Sequence, residues 1–329
     1  MLNTFSRITF FIFLYVQNSF AQLIPIDEAE LSDMTGQAFI NIDHDTSGGL
    51  DFTKLTFGLD VKTSLNADLV ELGKYDRSGE AAGSADIRIS DFALGHIDDN
   101  GNIVPFEISD PFIELAFDNV NGKENLVGVR LGFGGALGKL SGNIETLTGN
   151  IDVSVYGTGS TIAPNMSCEW YEFVCLGAKG LVGGAWADSQ FKAKSYLVDS
   201  SGNSDPIRAT QIGILNGQTL SMPGSSEFEN FIVGFLESQG CALSGTQTCF
   251  PLQNFKSLDI GNNGVQSEGL FLSFQTQTVT WQDGSTSTAA SEGAFMNIPN
   301  GGINVSFEQA FNGIDRSRTK YADPYFGGF

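Results

Sequence analysis

Ala85-Asp86-Ile87-Arg88-Ile89-Ser90 alternates apolar and polar side chains without a break. Successive side chains on a strand point to opposite faces, so this spacing predicts a strand with one face on a core and the other in water. The same period recurs in Ile151-Asp152-Val153-Ser154-Val155 and in Phe274-Gln275-Thr276-Gln277-Thr278-Val279-Thr280-Trp281. Forty glycines, with many Asn, Asp and Ser residues, supply bends between such runs. They also count against long helices, because an interior Gly costs a helix about 1 kcal/mol. The fold class that follows is mostly β: a large antiparallel sheet, either sandwich-like or an elongated curled sheet.

One segment departs from that period. From Ser226 to Gln239, Phe228, Phe231, Ile232, Phe235 and Leu236 share one helical face; Ser226 and Glu229 make a capping box and Gly240 is a suitable stop. An amphipathic helix is expected there, packed on the sheet, since its polar face carries no Lys or Arg for a membrane surface. A shorter helical turn is expected from Asp27 toward Met34.

The first twenty-one residues read as a cleaved signal peptide. Arg7 gives a positive start, Ile8 to Val16 an apolar run, and Ser19-Phe20-Ala21 a small-x-small cleavage pattern. The expected domains are residues 1–21 as signal and 22–329 as a single β-rich exported domain. The full chain carries 38 acidic and 17 basic side chains, a net charge of −21. Losing Arg7 leaves 16 against 38, or −22. A field of that sign repels nucleic-acid phosphates and anionic lipid, so nucleic acid is not an expected partner. No stretch after the signal is long and uncharged enough for a transmembrane helix.

Four cysteines, Cys168, Cys175, Cys241 and Cys249, form two close pairs. In an oxidising compartment the expectation is disulfides, and pairing near neighbours would pin two loops. Connectivity stays open at this point. Zinc is disfavoured by spacings of seven and eight and by the distance to His44 and His96.

Asp43-His44-Asp45-Thr46-Ser47-Gly48-Gly49-Leu50-Asp51 offers Asp43, Asp45, Ser47 and Asp51 at loop positions one, three, five and nine, with Gly at six, as calcium loops do. Calcium is the one cofactor the sequence suggests. Lys54 at position twelve departs from the pattern, and the alternative is a Gly-rich hairpin turn between Phe39-Ile40-Asn41-Ile42 and Leu55-Thr56-Phe57. Asp98-Asp99-Asn100-Gly101-Asn102 is a second acidic turn with a hairpin reading. Ser141-Gly142-Asn143-Ile144 and Thr148-Gly149-Asn150-Ile151 echo each other and are expected to be similar turns. The chain holds no G-x-S-x-G elbow, Walker loop or H-E-x-x-H, and a Ser-His-Asp site would need His44 or His96. The expectation is a protein without catalytic activity.

Ile26-Asp27-Glu28-Ala29-Glu30-Leu31-Ser32-Asp33-Met34-Thr35-Gly36-Gln37 resembles the L-x-x-x-E-L-S-x-x-T-G-Q type of opening of an exported gammaproteobacterial family, the FilA-like proteins associated with pili or filaments. Similarity continues through Leu65 to Leu69, Ala85 to Ile89, Asp110 to Phe117 and Val127 to Gly132. The resemblance implies an envelope or surface protein of a Gram-negative cell, in the periplasm, at the surface or released, acting in adhesion or filament assembly. Envelope or filament proteins would be its partners, and no catalytic residues are carried over. Two alternatives stay open: a calcium- or ligand-binding β module, and an outer-membrane barrel. The closing Tyr321-Ala322-Asp323-Pro324-Tyr325-Phe326-Gly327-Gly328-Phe329 has the terminal Phe of barrel proteins, but Pro324 would break a barrel strand.

Overall fold

The hairpin at the calcium-like stretch sets the first register. In the computed structural model, β1 (Ile40–Ser47) and β2 (Leu50–Phe57) pair from Ile40↔Phe57 to Ser47↔Leu50. Gly48 and Gly49 close it at φ 59° and 84°, the left-handed pair that a two-residue type I′ turn requires. The structure describes residues 40–319, apart from 121, 225, 227–233, 235–236 and 284–285. The signal peptide, the turn at Asp27–Met34, the aromatic tail from Tyr321 and most of the Ser226–Gln239 helix lie outside the described residues. The last two residues of that helical stretch, Ser238 and Gln239, are a short strand.

Along the chain follow β3 (Asp60–Thr63), β4 (Leu65–Lys74), β5 (Ala85–Leu94), β6 (His96–Ile97), β7 (Ile103–Val104), β8 (Phe106–Val120), β9 (Lys123–Leu147) and β10 (Gly149–Thr158). Two helices, α1 (Gly159–Ile162) and α2 (Phe173–Gly183), precede β11 (Gln190–Val198) and β12 (Gln211–Gly213). The short strands β13 (Ser238–Gln239), β14 (Ala242–Leu243), β15 (Thr246–Gln247), β16 (Cys249–Pro251) and β17 (Ser257–Ile260) come next. β18 (Phe271–Gln275), β19 (Val279–Asp283), β20 (Thr286–Ala290), β21 (Gly293–Ser306) and α3 (Phe307–Asn312) close the described chain.

Fourteen strands form one sheet in the order β1-β2-β8-β9-β18-β21-β10-β11-β12-β16, with β3, β4, β5 and β17 joined at its sides. The mostly β, mainly antiparallel class is therefore as expected, with one departure: β10 and β21 run parallel. β9 joins the two halves. Its first part lies between β8 and β18, and its second part between β5 and β17. At 25 residues it is far longer than the usual strand of 3–10, and it must coil to stay in both halves. Gly138 at φ 140°, packed against Phe106, marks the change from one half to the other.

Ile87, Ile89, Ile151, Val153 and Val155 are all buried in the main core, as their alternation predicts. A second core holds Phe52, Val127, Phe271 and Trp281 under the β19–β20 hairpin. Two local readings are corrected. Phe274–Trp281 is not one strand: β18 ends at Gln275 and β19 begins at Val279, with Phe274 on the exposed side and Gln275 buried. Ser141–Ile144 is not a turn but an irregular stretch of β9, where the register against β5 shifts between Asn143 and Ser141.

Candidate functional site

The two cysteine pairs close within themselves, Cys168–Cys175 and Cys241–Cys249, with Cα atoms 5.6 and 5.0 Å apart. The fold then brings the two loops together, which sequence distance hides. Ser167 donates its backbone N–H to the Ser244 carbonyl at 3.0 Å. Gly245, at φ 79°, lies so close to Ser167 that a Cβ there would sit 2.5 Å from the Ser167 carbonyl oxygen. The second loop therefore buttresses the base of the first. Met166 at that base is buried, and the Lys179 ammonium donates to the Met166 carbonyl. Helix α2 roots the loop through buried Ala178 and Val182.

Above this footing the side chains turn outward. Trp170 is 79% exposed, Phe173 78%, Val174 63%, Tyr171 59% and Leu176 41%. The Trp170 and Tyr171 rings meet edge to face at 5.7 Å, and the Glu172 carboxylate accepts the Glu169 backbone N–H at 3.0 Å. A cleft of about 490 Å³ opens beside them, lined by Tyr171, Glu172, Phe173, Val174, Cys175, Ala178 and Ser244. Four large apolar side chains in solvent on a disulfide-tied loop, with Leu176 just past it, are costly for a monomer and suited to docking, because the loop needs no further ordering on contact. The cysteines were legible in the sequence. The tip was not, because an aromatic residue between cysteines reads equally as core.

Of the calcium candidates only Asp45 and Asp51 line one cleft, beside Glu124, and Asp43 and Ser47 do not join them. In the β1–β2 hairpin Asp43 lies opposite Lys54, Asp45 opposite Phe52 and Ser47 opposite Leu50, on one face. Asp51 lies opposite Thr46 on the other face and accepts the Thr46 hydroxyl at 2.8 Å. The two-residue turn forces strand pairing, and alternation then parts the ligands that a calcium loop would gather. Among the described residues no group of three or more His, Cys, Asp or Glu side chains is arranged to hold a metal.

Asp98–Asn102 is the hairpin turn between β6 and β7. Asp98 accepts the N–H groups of Asn100 and Asn102 at 3.0 and 2.7 Å and the Asn102 amide at 3.0 Å. Asp199 repeats this arrangement with Ser201 and Asn203. These bonds hold both carboxyls below the usual Asp value, the Asn102 amide and the Asn203 backbone N–H contributing most. Both acids are thus used up in shaping turns.

The histidines stand apart. His44 Nδ1 shares a hydrogen bond with the Thr53 hydroxyl at 3.0 Å. His96 lies in a shallow cleft with Lys139 and Asp259. Among the described residues neither is hydrogen-bonded to both a serine and a carboxylate. The buried charges are tied into the fold instead. Asp86, wholly buried, accepts from Arg208 at 3.0 Å, from Arg77 at 3.2 Å and from the Ala294 N–H at 2.9 Å. Arg208 also donates to Ser84 and to the Gly73 and Tyr75 carbonyls, which ties this buried group to the fold at four points.

These features define a disulfide-tied β protein with an exposed aromatic tip and its buried ions in structural networks. No family model, no curated protein and no solved structure matches the chain.

Proposed function

We propose that the chain is a non-catalytic envelope or surface protein that works by docking, in adhesion or in pilus or filament assembly, with Trp170, Tyr171, Phe173 and Val174 as the contact. The observation that carries this reading is the tip itself: aromatic side chains held in water by a covalent clamp and braced by a second disulfide loop. Trp and Tyr dominate binding energy at protein interfaces, and a rigid presentation lowers the ordering cost. Export is supported by the two disulfides and by the signal-like first residues. No described helix is long and apolar enough to cross a membrane. The resemblance of the Ile26–Gln37 opening to filament-associated exported proteins points the same way. Among the described strands the sheet order ends at β1 and β16, which favours this reading over a closed barrel.

The test is fractionation of the producing cell with wild type and with Trp170→Ala/Phe173→Ala. The wild type is expected on the shaved surface or in the medium, bound to cells or filaments. The double variant is expected to fold and reach the same fraction but to lose at least tenfold in retention. Unchanged retention rules out the tip, and release by detergent alone favours the barrel.

A further inference from the structure

The register places one apolar row across six strands. Ile42 lies opposite Leu55, Leu55 opposite Ile113, Ile113 opposite Leu131, Leu131 opposite Leu272, and Leu272 opposite Met296. Residues directly opposite share a face, so these six form a continuous ridge on one side of the sheet. At its inner end Leu272 and Met296 pack against the main core. Toward the outer end the ridge opens to solvent: Leu131 is 40% exposed, Ile113 37% and Ile42 56%. The row beside it, two residues along each strand, adds Leu115, Val129 and Phe274, the last 37% exposed. Beyond it Leu126 is 51% exposed.

The opposite face carries the charge. There the neighbouring row reads Asp43, Lys54, Glu114 and Arg130, a ladder of alternating sign. Neither row contains a carboxylate, the second running His44, Thr53, Leu115, Val129 and Phe274; the acids of this face stand at its margin, where Asp51 lies opposite Phe117. A surface that excludes charge while the molecule around it is strongly acidic is where two such molecules can approach without repulsion. With Ile40 at one end and Leu126 at the other, six large apolar side chains of this face are each more than a third exposed. A contiguous apolar set of that kind marks an interaction surface on a protein of this charge.

We propose that this face is where a second copy of the chain binds, sheet on sheet, with the Ile113–Leu131 pair near the centre of a two-fold contact. Two twisted antiparallel sheets pack face to face in this way, with their inner side chains interdigitated. Among the described strands β1 is outermost, and pairing through its outer edge cannot replace this contact. Ile113 and Leu131 sit on β8 and β9, which have strands on both sides. The surface shares no residue with the Cys168–Cys175 tip, so the two readings stand or fall separately.

The test is sedimentation of the purified full chain from 1 to 100 μM. The wild type is expected to pass from monomer to dimer across that range. Ile113→Glu/Leu131→Glu is expected to stay monomeric at 100 μM, since it sets four carboxylates within the interface. Leu131→Ser, a change mild enough to keep the fold, is expected to weaken the dimer at least tenfold. Trp170→Ala/Phe173→Ala is expected to leave it unchanged. A wild type that stays monomeric at 100 μM overturns the proposal, whether or not it then floats with phosphatidylcholine vesicles. So does a dimer lost with the tip variant, or one that survives both sheet variants.

Discussion

Arg130 faces Glu114 across the β9–β8 pair and donates to it through Nε at 2.6 Å, while its guanidinium has no exposed surface. The other nitrogens donate to Asp283 at 2.9 Å and to the Gln282 carbonyl at 2.8 Å, which ties the β19–β20 hairpin down over the second core. Phe112, Phe271 and Trp281 surround the cation at 5.0 to 5.2 Å. Burial raises the Glu114 carboxyl above its ordinary value, against the pull of Arg130. Glu114→Leu alone leaves a buried cation short of a partner, and a loss of about 3–5 kcal/mol is expected. Glu114→Leu with Arg130→Met removes both charges and should recover most of that loss. Urea titration of the two variants checks it; equal destabilisation would mean that the ion pair itself holds the hairpin.

Gly73 and Gly293 hold the Asp86 network open from two sides. Their φ angles are 65° and 101°, and in each case a Cβ would lie 2.2 Å from an Asp86 carboxylate oxygen. That oxygen belongs to a fully buried side chain bound by Arg208 and Arg77, so it has nowhere to go. Gly73→Ala and Gly293→Ala are each expected to cost at least about 3 kcal/mol, from backbone strain plus the clash. Gly79→Ala, at φ 91° with open space around it, should cost only about 1 kcal/mol. Thermal midpoints of the three variants decide the matter.

Each disulfide closes a short loop, seven or eight residues in sequence, worth about 2.5 kcal/mol in the chain-entropy picture. Their roles differ by burial. Cys249 is buried at the end of β16, so Cys241→Ser/Cys249→Ser is expected to lower the global denaturation midpoint. Cys168→Ser/Cys175→Ser is expected to lower it less but to raise proteolysis between Ser167 and Leu176, because the clamp holds an exposed segment. Limited proteolysis beside denaturant melts separates the two.

The sequence revealed the strand class because alternation is a local signal: Ile87 and Ile89, or Val153 and Val155, announce a buried face by themselves. It failed where the answer depended on which strand lies alongside. Phe274 looks like a core residue, yet the neighbours of β18 put it on the open face and bury Gln275. Ile40 and Ile42 alternate as inward residues should and are more than half exposed, because β1 is the outermost of the described strands. The calcium-like spacing is silent on geometry for a related reason, since the pairing of β1 with β2 decides where four oxygen-bearing side chains point. Asp86 reads as an outward polar residue within an alternating strand. Its burial could be inferred only by knowing that Arg208, 122 residues later, comes to meet it.

His96 gives the fold a pH dependence with a definite sign. Its ring is held below the ordinary histidine value first by burial and next by the Lys139 charge, with Asp259 and Asp98 pulling weakly the other way. The unfolded chain therefore takes up the proton first, at about pH 6.5. Stability from this group is complete above that value and is lost as pH falls through it toward the lower folded-state value. Glu114 has the opposite sign in a lower window: its raised carboxyl means stability is lost as pH rises above the unfolded value of about 4.3. Between pH 7.5 and 5.5 the histidine should dominate, so the wild-type denaturation midpoint is expected to fall with pH across this interval. His96→Gln, which cannot take up a proton, should flatten that fall. If the variant keeps the full wild-type slope, the proton is taken up elsewhere and His96 is neutral to folding.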